Sequence, residues 1–259
     1  MNRYLSILIF SILFFSCSKN KTAPVLNENV KIKMIEDIDS SKKTLTLQCF
    51  TEKIFGCSNY YMKHRFSIAG NKITINFIEI DKPDICLTSL GPASATIHLE
   101  NLPDKDYDLE IGTGDTTIAG QLKVSNASYK VIFPAQSRIQ FINPDLNRIP
   151  ANIIWGTVHY HAGATSSIVQ NFTDSLQISG AVASTYLPGN YSGFQIESNG
   201  QIKQVQDPGY NFTRYFIYQF SGNSLPLKGL VRRFGINNPN ALLITLYTTK
   251  GETFMSWLP

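Results

Sequence analysis

Residues 95–111 read ATIHLENLPDKDYDLEI, and this stretch decides the fold of the first half of the chain. Apolar and polar residues alternate at both of its ends, Ala95–Leu99 and Tyr107–Ile111, as they do in strands that bury one face. Between them, Pro103-Asp104 is a typical turn sequence. The stretch therefore predicts two consecutive β-strands joined by a tight corner.

This corner resembles the one between the E and F strands of fibronectin type III and immunoglobulin-like domains. In those domains a Leu and a Pro precede a Tyr that opens the next strand, and here those residues are Leu102, Pro103 and Tyr107. The resemblance implies that Tyr107 buries its ring and bonds its hydroxyl to upstream backbone, while Leu102 fills the core. The buried Trp of such domains has no counterpart in this half of the chain.

The residues on either side of the corner extend the same pattern. Short alternating segments are separated by turn sequences such as Gly70-Asn71 and Gly91-Pro92. Seven or eight short strands in about 100 residues are typical of a β-sandwich, and we predict an immunoglobulin-like sandwich over residues 31–134. The predicted strands are Lys31–Ile35, Thr44–Phe50, Lys63–Ile68, Lys72–Ile80, Ala95–Leu99, Tyr107–Ile111, Thr116–Ser125 and Ser128–Phe133.

One of these strands changes its inward face part-way along. Ile73, Ile75 and Phe77 share one face, and Ile78 and Ile80 then take over. Because side chains alternate strictly along a regular strand, this switch predicts a β-bulge within the strand.

The second half of the sequence has a different organisation. Three prolines punctuate residues 134–150, which we interpret as a joint, and residues 137–142 are either a last strand or a bridging one. Beyond the joint the pattern is strand, helix, strand, strand, and then the same order again, with Gly163 and Gly222 in corresponding turns. In the first repeat, the strands after the helix are Tyr191–Ser198 and Gln201–Gln206, and Asn199-Gly200 between them predicts a hairpin. We therefore predict a chain that is mainly β, with an α+β second domain over residues 135–259.

The doubled unit is similar to the gyrase-inhibitor-like effector-binding fold. The first unit of that fold often enters its helix through a His-x-Gly step, which His161-Ala162-Gly163 matches. The resemblance implies a cleft between the two units that binds a small ligand. The alternative is an α+β domain without that relationship.

The first residues, MNRYLSILIFSILFFSCSK, have the order of a secretory signal peptide. Arg3 supplies a positive start, and Leu5–Phe15 is an uncharged, largely apolar run that is too short to span a bilayer core about 30 Å thick. A cysteine, Cys17, follows directly, and Ser18-Lys19 come after it. This arrangement resembles the lipoprotein signals of the Bacteroidota.

The lipoprotein resemblance implies cleavage between Ser16 and Cys17 and a diacylglyceryl group on the Cys17 sulfur, into which palmitate is incorporated. Residues 1–16 are then a signal peptide and residues 17–30 a lipidated tether. We expect the mature chain in the cell envelope, on the outer membrane rather than the inner one, with the leaflet left open. The alternative is ordinary cleavage after Ser18, which gives a soluble product without Cys17.

Composition argues against nucleic acid as a partner. Charged residues make up 16% of the chain, and the formal net charge of +4 falls by one, to +3, when Arg3 leaves with the signal peptide. The basic residues do not cluster, so the chain lacks the electrostatic footprint of a nucleic-acid-binding protein. The aromatic content of 12% fits a β-rich exported protein.

Three cysteines remain once Cys17 is lipidated, namely Cys49, Cys57 and Cys86. Export places them where disulfides persist, and an odd number allows one bridge and one free thiol. Cys49 alternates with leucines on a predicted strand, while the other two lie in predicted loops. We therefore favour a bridge between Cys57 and Cys86, with Cys49 paired to either of them as the alternative. The spacing is not that of a zinc site.

Candidate ligand-binding residues lie in the second half. His159 and His161 are two apart on a predicted strand and project to one face, but no third ligand follows at a telling spacing, so we predict no metal site. Aromatic residues crowd the same region, and Tyr191 and Tyr215 are candidates to line a ligand or glycan cleft. Serine-nucleophile motifs and glycine-rich phosphate loops are absent, so no catalytic residue and no cofactor are predicted.

Three functional hypotheses follow. The first is a membrane-anchored lipoprotein that binds a small ligand, a glycan or another envelope protein. The second is a hydrolase-like envelope enzyme with a cleft in the second domain, using His159, His161 or Glu197. The third is a structural subunit of an envelope assembly. A perturbed titratable group in a pocket favours the enzyme, an aromatic pocket favours the binder, and a broad exposed apolar patch favours the subunit.

Overall fold

The computed structural model describes residues 26–40, 42–134, 138–161, 166–239 and 241–257. The signal peptide, Cys17 and the first part of the tether lie outside the described residues, as do Ala162 and Gly163 of the His-x-Gly step. Across the described ranges the chain is mainly β with two α-helices, which confirms the predicted β-rich class. No helix in those ranges is long and apolar enough to cross a membrane.

Ten strands form one large curled sheet, called here the first sheet. Their spatial order is β10-β8-β7-β6-β4-β3-β5-β2-β1-β9. The strands are β1 (Val30–Asp39), β2 (Lys42–Phe55), β3 (Tyr61–Ala69), β4 (Lys72–Asp81), β5 (Gly91–Leu99), β6 (Asp106–Thr113), β7 (Thr116–Val124), β8 (Ser128–Ile132), β9 (Ile139–Phe141) and β10 (Asp145–Asn147).

The first sheet closes on a single hydrophobic core, because alternate side chains of its strands point inward to one continuous cluster. The sequence predicted the two separate sheets of a sandwich. The hydrogen bonding instead continues from one layer to the other through a bridge between Tyr61 of β3 and Ser94 of β5. Only residues 56–60 connect β2 to β3, and Ser94 N donates to Tyr60 O at 3.1 Å, so the start of β3 stays beside β5. In addition, β4 and β6 pair in parallel, whereas immunoglobulin sheets are antiparallel.

The predicted bulge in β4 is confirmed. Lys63 of β3 is opposite Glu79 and the next residue, His64, is opposite Phe77, so that Ile78 is the extra residue. The side chains change face at the bulge, which keeps Phe77 in the core.

Tyr107 lies at the start of β6 with its ring buried. Its hydroxyl donates to the carbonyl oxygen of Pro103 at 3.2 Å, four residues upstream. Leu102 is partly buried against the same core.

Four strands form a second sheet in the order β14-β11-β15-β16. Two helices, α1 (Ser166–Ile178) and α2 (Leu225–Asn237), pack on one of its faces, because both bury an apolar stripe that includes Phe172 and Leu227. No helix of the described ranges packs on the opposite face. The strands are β11 (Ile153–Tyr160), β14 (Phe212–Gln219), β15 (Leu242–Thr248) and β16 (Thr253–Met255).

The two strands that follow α1 are much shorter than predicted. The sequence indicated a hairpin around Asn199-Gly200, and the chain turns back there, with Ile196 and Ile202 in an antiparallel bridge and Glu197 N donating to Gln201 O at 2.8 Å. The named strands beside it, β12 (Gly189–Asn190) and β13 (Gln195–Ile196), form a small sheet of their own. Gly189 and Gly193 have φ angles of 135° and 92°, which break an extended run. The elements of the second half follow in the order β11, α1, β12, β13, β14, α2, β15 and β16, and β12 and β13 do not join the second sheet.

The joint between the halves adds to the first sheet. β9 pairs in parallel with β1 at one edge, and β10 pairs with β8 at the other, although both lie beyond the predicted boundary at residue 134. Between them, Asn143 donates to Met34 O and accepts from Met34 N, both at 2.7 Å. The joint is thus held against β1 on its way to the second sheet.

The strand register defines two ends of the first sheet. At the proximal end lie the start of β1, the end of β2 and the starts of β3 and β5, because Val30 pairs with Thr51 and Phe55 with Gly91. At the distal end lie the end of β1 and the starts of β2 and β8. The second sheet is attached at the distal end, where Ile38 packs against its helix-free face.

Candidate functional site

A cleft of about 570 Å³ lies between the distal end of β1 and the helix-free face of the second sheet. Residues 35–38 of β1 and Ile149 of the joint form one wall, and β11 and β15 form the other. Ser192 and Gly193 from the loop after β12, together with Asp207, close one side, and residues 251–253 close another. A volume of this size accommodates a small ligand.

The strand period explains why polar and aromatic groups face this cleft. On β11, Ile154 and Val158 are buried against the helices, and the alternate residues Trp155, Thr157 and His159 therefore point to the cleft. Between them Gly156 allows the neighbouring strand to come close, because a Cβ there would clash with the carbonyl oxygen of Thr245. A larger residue at Gly156 would push β11 away from β15.

Two threonine hydroxyls and a stacked tyrosine ring contact the imidazole of His159. Its Nδ1 lies 3.2 Å from Thr213 Oγ1, and its Nε2 lies 3.2 Å from Thr157 Oγ1. The Tyr210 ring stacks on the imidazole with centroids 4.0 Å apart. Burial lowers the pKa of His159, although the Asp207 carboxylate, 3.7 Å from Nδ1, acts in the opposite direction. The ring is therefore neutral at pH 7 and is fixed in orientation.

Asp207 links His159 to Tyr215. The Tyr215 hydroxyl donates to Asp207 Oδ1 at 2.9 Å, while Oδ2 faces His159. Burial, with the nearby charge of Asp207, raises the pKa of Tyr215 to about 12. Tyr215 consequently keeps its proton at neutral pH and orients the carboxylate.

An aromatic pair forms the floor of the cleft. Trp155 and Tyr247 stack with ring centroids 5.7 Å apart and planes 22° from parallel. Trp155 is buried, whereas Tyr247 is 38% exposed and lines the cleft. An exposed ring on a rigid partner presents a large contact area at little entropic cost.

The charged residues of the cleft are all acidic. Besides Glu36, whose carboxylate is fully buried, Asp37, Asp207 and Glu252 line it, and no Lys or Arg lies among the described lining residues. Glu252 Oε2 accepts from Thr248 Oγ1 at 3.0 Å, so its other oxygen remains available. Like charges repel in a partly desolvated site, so this cleft disfavours anionic ligands and favours neutral or cationic ones.

The sequence reasoning missed Glu36, whose carboxylate is fully buried beside the cleft. It accepts from Tyr129 at 3.0 Å, from Arg148 Nε at 3.1 Å and from the backbone N–H of Ile149 at 2.6 Å. A signal was present in the sequence, since Glu36 continues the inward series of Val30, Ile32 and Met34 along β1. An acid at an inward position predicts a buried cation partner.

Glu36 connects the two halves through further contacts. Lys43 lies 3.9 Å from its carboxylate and donates to the carbonyl oxygen of Ile149. Burial lowers the pKa of Lys43, while the Glu36 charge opposes that shift. The backbone N–H of Glu36 donates to Ser192 Oγ. The network ties β1 to the joint and to the loop that closes the cleft.

Only two of the four predicted ligand-binding residues, His159 and Tyr215, line the cleft. His161 lies beyond the end of β11, exposed, with Nδ1 2.8 Å from Asn211 Oδ1. Tyr191 is buried, stacks on Phe194 with centroids 4.8 Å apart and donates to the carbonyl of Leu187 at 2.8 Å. It belongs to the same buried cluster as Trp155 and does not line the cleft.

The predicted disulfide between Cys57 and Cys86 is confirmed, with an S–S distance of 2.02 Å. Cys49 is buried and free, and burial raises the pKa of its thiol to about 12. In the described ranges no three His, Cys, Asp or Glu side chains are grouped as metal ligands would be.

Comparison with known proteins adds no relative: no family model, no curated protein and no solved structure matches the chain.

Proposed function

We propose that this chain is a lipid-anchored exported protein that binds a small neutral or cationic ligand in the cleft. The observation that carries the proposal is the combination of three acidic side chains, the exposed ring of Tyr247 and the hydroxyls of Thr157 and Thr253, without a lining Lys or Arg in the described residues. Carboxylates and hydroxyls accept hydrogen bonds from ligand hydroxyl or ammonium groups, and an aromatic ring covers the apolar face of a sugar or attracts a cation.

A ligand panel that differs only in charge tests this proposal. Glucose, glucosamine and glucuronic acid share one ring and are neutral, cationic and anionic at pH 7, and larger glycans of each charge extend the series. We expect thermal stabilisation by neutral or cationic members and none by the anionic ones. Tyr247→Ala should abolish the stabilisation, whereas Tyr61→Ala, an exposed tyrosine at the proximal end, should preserve it. Stabilisation by the anionic members alone contradicts the proposal.

A hydrolase-like enzyme is the second candidate, and one observation favours it. His159 has a lowered pKa and an adjacent carboxylate, which is the environment of a general base. Both of its ring nitrogens, however, lie at hydrogen-bonding distance from threonine hydroxyls. We therefore assign His159 to ligand positioning. Turnover of a bound glycan that disappears in His159→Gln, with binding retained, would establish the enzyme instead.

The proposed anchor is Cys17, on the evidence of the signal-like sequence before it. Labelled palmitate should enter the wild-type chain in a bacterial host and not enter Cys17→Ser. Membrane fractionation should move the same variant to the soluble fraction. A chain whose purified N-terminus is an unmodified Lys19 would show ordinary secretion.

We also propose that residues 31–134 form an immunoglobulin-like module and that the second half is a separate α+β module. The Tyr107–Pro103 hydrogen bond supports the first assignment, while the parallel β4–β6 pairing departs from it. The order strand, helix and strand in each repeat supports the second. Two calorimetric transitions would favour separate modules, and a single one would count against them.

A further inference from the structure

The proximal end of the first sheet carries a cluster of exposed apolar side chains, called here the apolar rim. It consists of Ile54 at the end of β2, Tyr61 at the start of β3, and Ile85, Leu87 and Leu90 from the loop between β4 and β5. Ile85 and Leu90 are 79% and 78% exposed. Single exposed apolar residues are ordinary, but a cluster at one end of a domain marks an interaction surface.

The loop that presents the apolar rim is firmly held. The Cys57–Cys86 disulfide joins it to the β2–β3 connection. Asn59 Nδ2 donates to the carbonyl of Ile85 at 2.8 Å, and Asn59 Oδ1 accepts from the N–H of Leu87 at 3.1 Å. Because these bonds fix the backbone on both sides of Cys86, the apolar side chains are presented outward without the ordering cost that a flexible loop meets on binding.

The chain also enters the fold at this end. Leu26 is buried, its N–H donates to Ile78 O at 3.0 Å, and its carbonyl accepts from Thr113 Oγ1 at 3.0 Å. Ile78 is near the end of β4 and Thr113 ends β6, both at the proximal end. The eight residues 18–25 reach at most about 29 Å when extended. A lipid on Cys17 would therefore keep the point where the chain enters the fold, at the proximal end, within about 29 Å of the bilayer.

We propose that the apolar rim docks on the lipid bilayer beside the anchor, with Ile85, Leu87 and Leu90 at the level of the headgroups. This inference rests on the proposed lipidation of Cys17. A tether of this length makes docking effectively intramolecular, so a modest apolar surface suffices. Tyr61 fits an aromatic residue at the membrane interface. The cleft, at the opposite end of strands that span about 30 Å, then faces away from the membrane.

The charges near the apolar rim favour a neutral lipid surface over an acidic protein or an anionic membrane. Lys63 is paired with Glu79 at 2.7 Å and with Asp81 at 2.9 Å, and Lys53 is paired with Glu28 at 2.9 Å. In the loop itself, Lys82 is offset by Asp84. Among the described residues near the apolar rim these pairings leave no unpaired cationic patch, so docking of the rim should be insensitive to salt.

The experiment uses the full lipidated chain in phosphatidylcholine vesicles whose acyl chains are brominated near the headgroup, which quenches tryptophan at that depth. Ile85→Trp places a probe in the apolar rim. Ile178→Trp is the matched control, because Ile178 is 87% exposed and lies on α1, in the distal half. The emission of Trp155 and Trp257 is subtracted with the unsubstituted chain. We expect most of the Ile85→Trp emission to be quenched, in low and in high salt, and the Ile178→Trp emission to be unchanged.

Adding Leu87→Ser and Leu90→Ser to Ile85→Trp should restore the emission while the protein still floats with the vesicles. Flotation reports the anchor, so a chain that fails to float shows the Cys17 proposal to be wrong. A chain that floats without quenching at Ile85→Trp, or with equal quenching at both probes, overturns docking alone. Protection of the rim by a co-purified envelope protein, in place of lipid, would also overturn it.

Discussion

The two ends of the first sheet differ in what they bury. At the distal end the carboxylate of Glu36 is fully buried among Tyr129, Arg148 and the backbone of Ile149. At the proximal end the apolar side chain of Ile85, next to the Cys57–Cys86 disulfide, is exposed to solvent. Each arrangement reverses the usual preference, since charges favour water and apolar groups the interior. The buried charge is satisfied within the chain and therefore holds the two halves together. Ile85 and Leu90, by contrast, leave more than three quarters of their surface exposed and fit a surface outside the chain.

Removing the buried charge should have the largest effect. Glu36→Ala leaves the Arg148 Nε–H and the Ile149 N–H without their acceptor, and we expect it to lower the free energy of unfolding by about 3–5 kcal/mol. Chemical denaturation measures the change. Glu52→Ala, which removes an exposed carboxylate bonded to Lys31 and Asn29 at the proximal end, is the control and should change stability little. Equal losses in both variants would show that burial of Glu36 is unimportant.

Opening the disulfide tests the proximal end in the same way. The bridge closes a loop with a sequence separation of 29 residues, so Cys57→Ser with Cys86→Ser should lower the unfolding free energy by about 3–4 kcal/mol. Urea denaturation of the double variant, beside reduced wild type, gives the value. An unchanged urea midpoint in both samples would mean that the hydrogen bonds of Asn59 hold the loop without the bridge.

Two buried tyrosines allow a hydrogen bond to a charged acceptor to be compared with one to a neutral acceptor. Tyr129→Phe removes a hydrogen bond to the Glu36 carboxylate and should lower stability by about 1.5–3 kcal/mol. Tyr107→Phe removes one to the neutral carbonyl of Pro103 and should lower it by about 0.5–1.5 kcal/mol. Both rings are buried, so the pair is closely matched. The reverse order of the two losses would contradict the dominance of the Glu36 network.

The smallest effect concerns pH and the cleft. Burial lowers the pKa of His159 in the folded chain below its ordinary value of 6.5, so the unfolded chain takes up the proton first. The contribution of His159 to stability is thus fully present above about pH 6.5 and is lost as the pH falls toward the folded pKa. Melting temperatures between pH 7 and 5 should decline more steeply for wild type than for His159→Gln. Parallel curves would show that another group titrates.

Much of the first sheet was predictable, because its strands bury alternate residues on one face. The same reasoning located the β4 bulge at the change from Phe77 to Ile78 and paired the loop cysteines Cys57 and Cys86. The residue pattern did not predict that hydrogen bonding continues from one layer to the other. The bridge from Tyr61 to Ser94 that joins the layers depends on the short connection between β2 and β3.

The cleft was less predictable, because its walls come from distant segments. Residues 35–38, Trp155 and Tyr247 meet only after the joint has placed the second sheet against the distal end of β1. His159 and Tyr215 were found because aromatic and imidazole residues are concentrated there. Tyr191 shares that composition but packs inward, and local sequence alone does not distinguish the two cases.

Cys49 gives the molecule a built-in chemical reporter. Its thiol is fully enclosed and, with a pKa of about 12, is almost never a thiolate at neutral pH, so alkylating reagents can reach it only when β2 separates from its neighbours. The rate at which a maleimide labels this position therefore measures how often the first sheet opens, without any engineered probe.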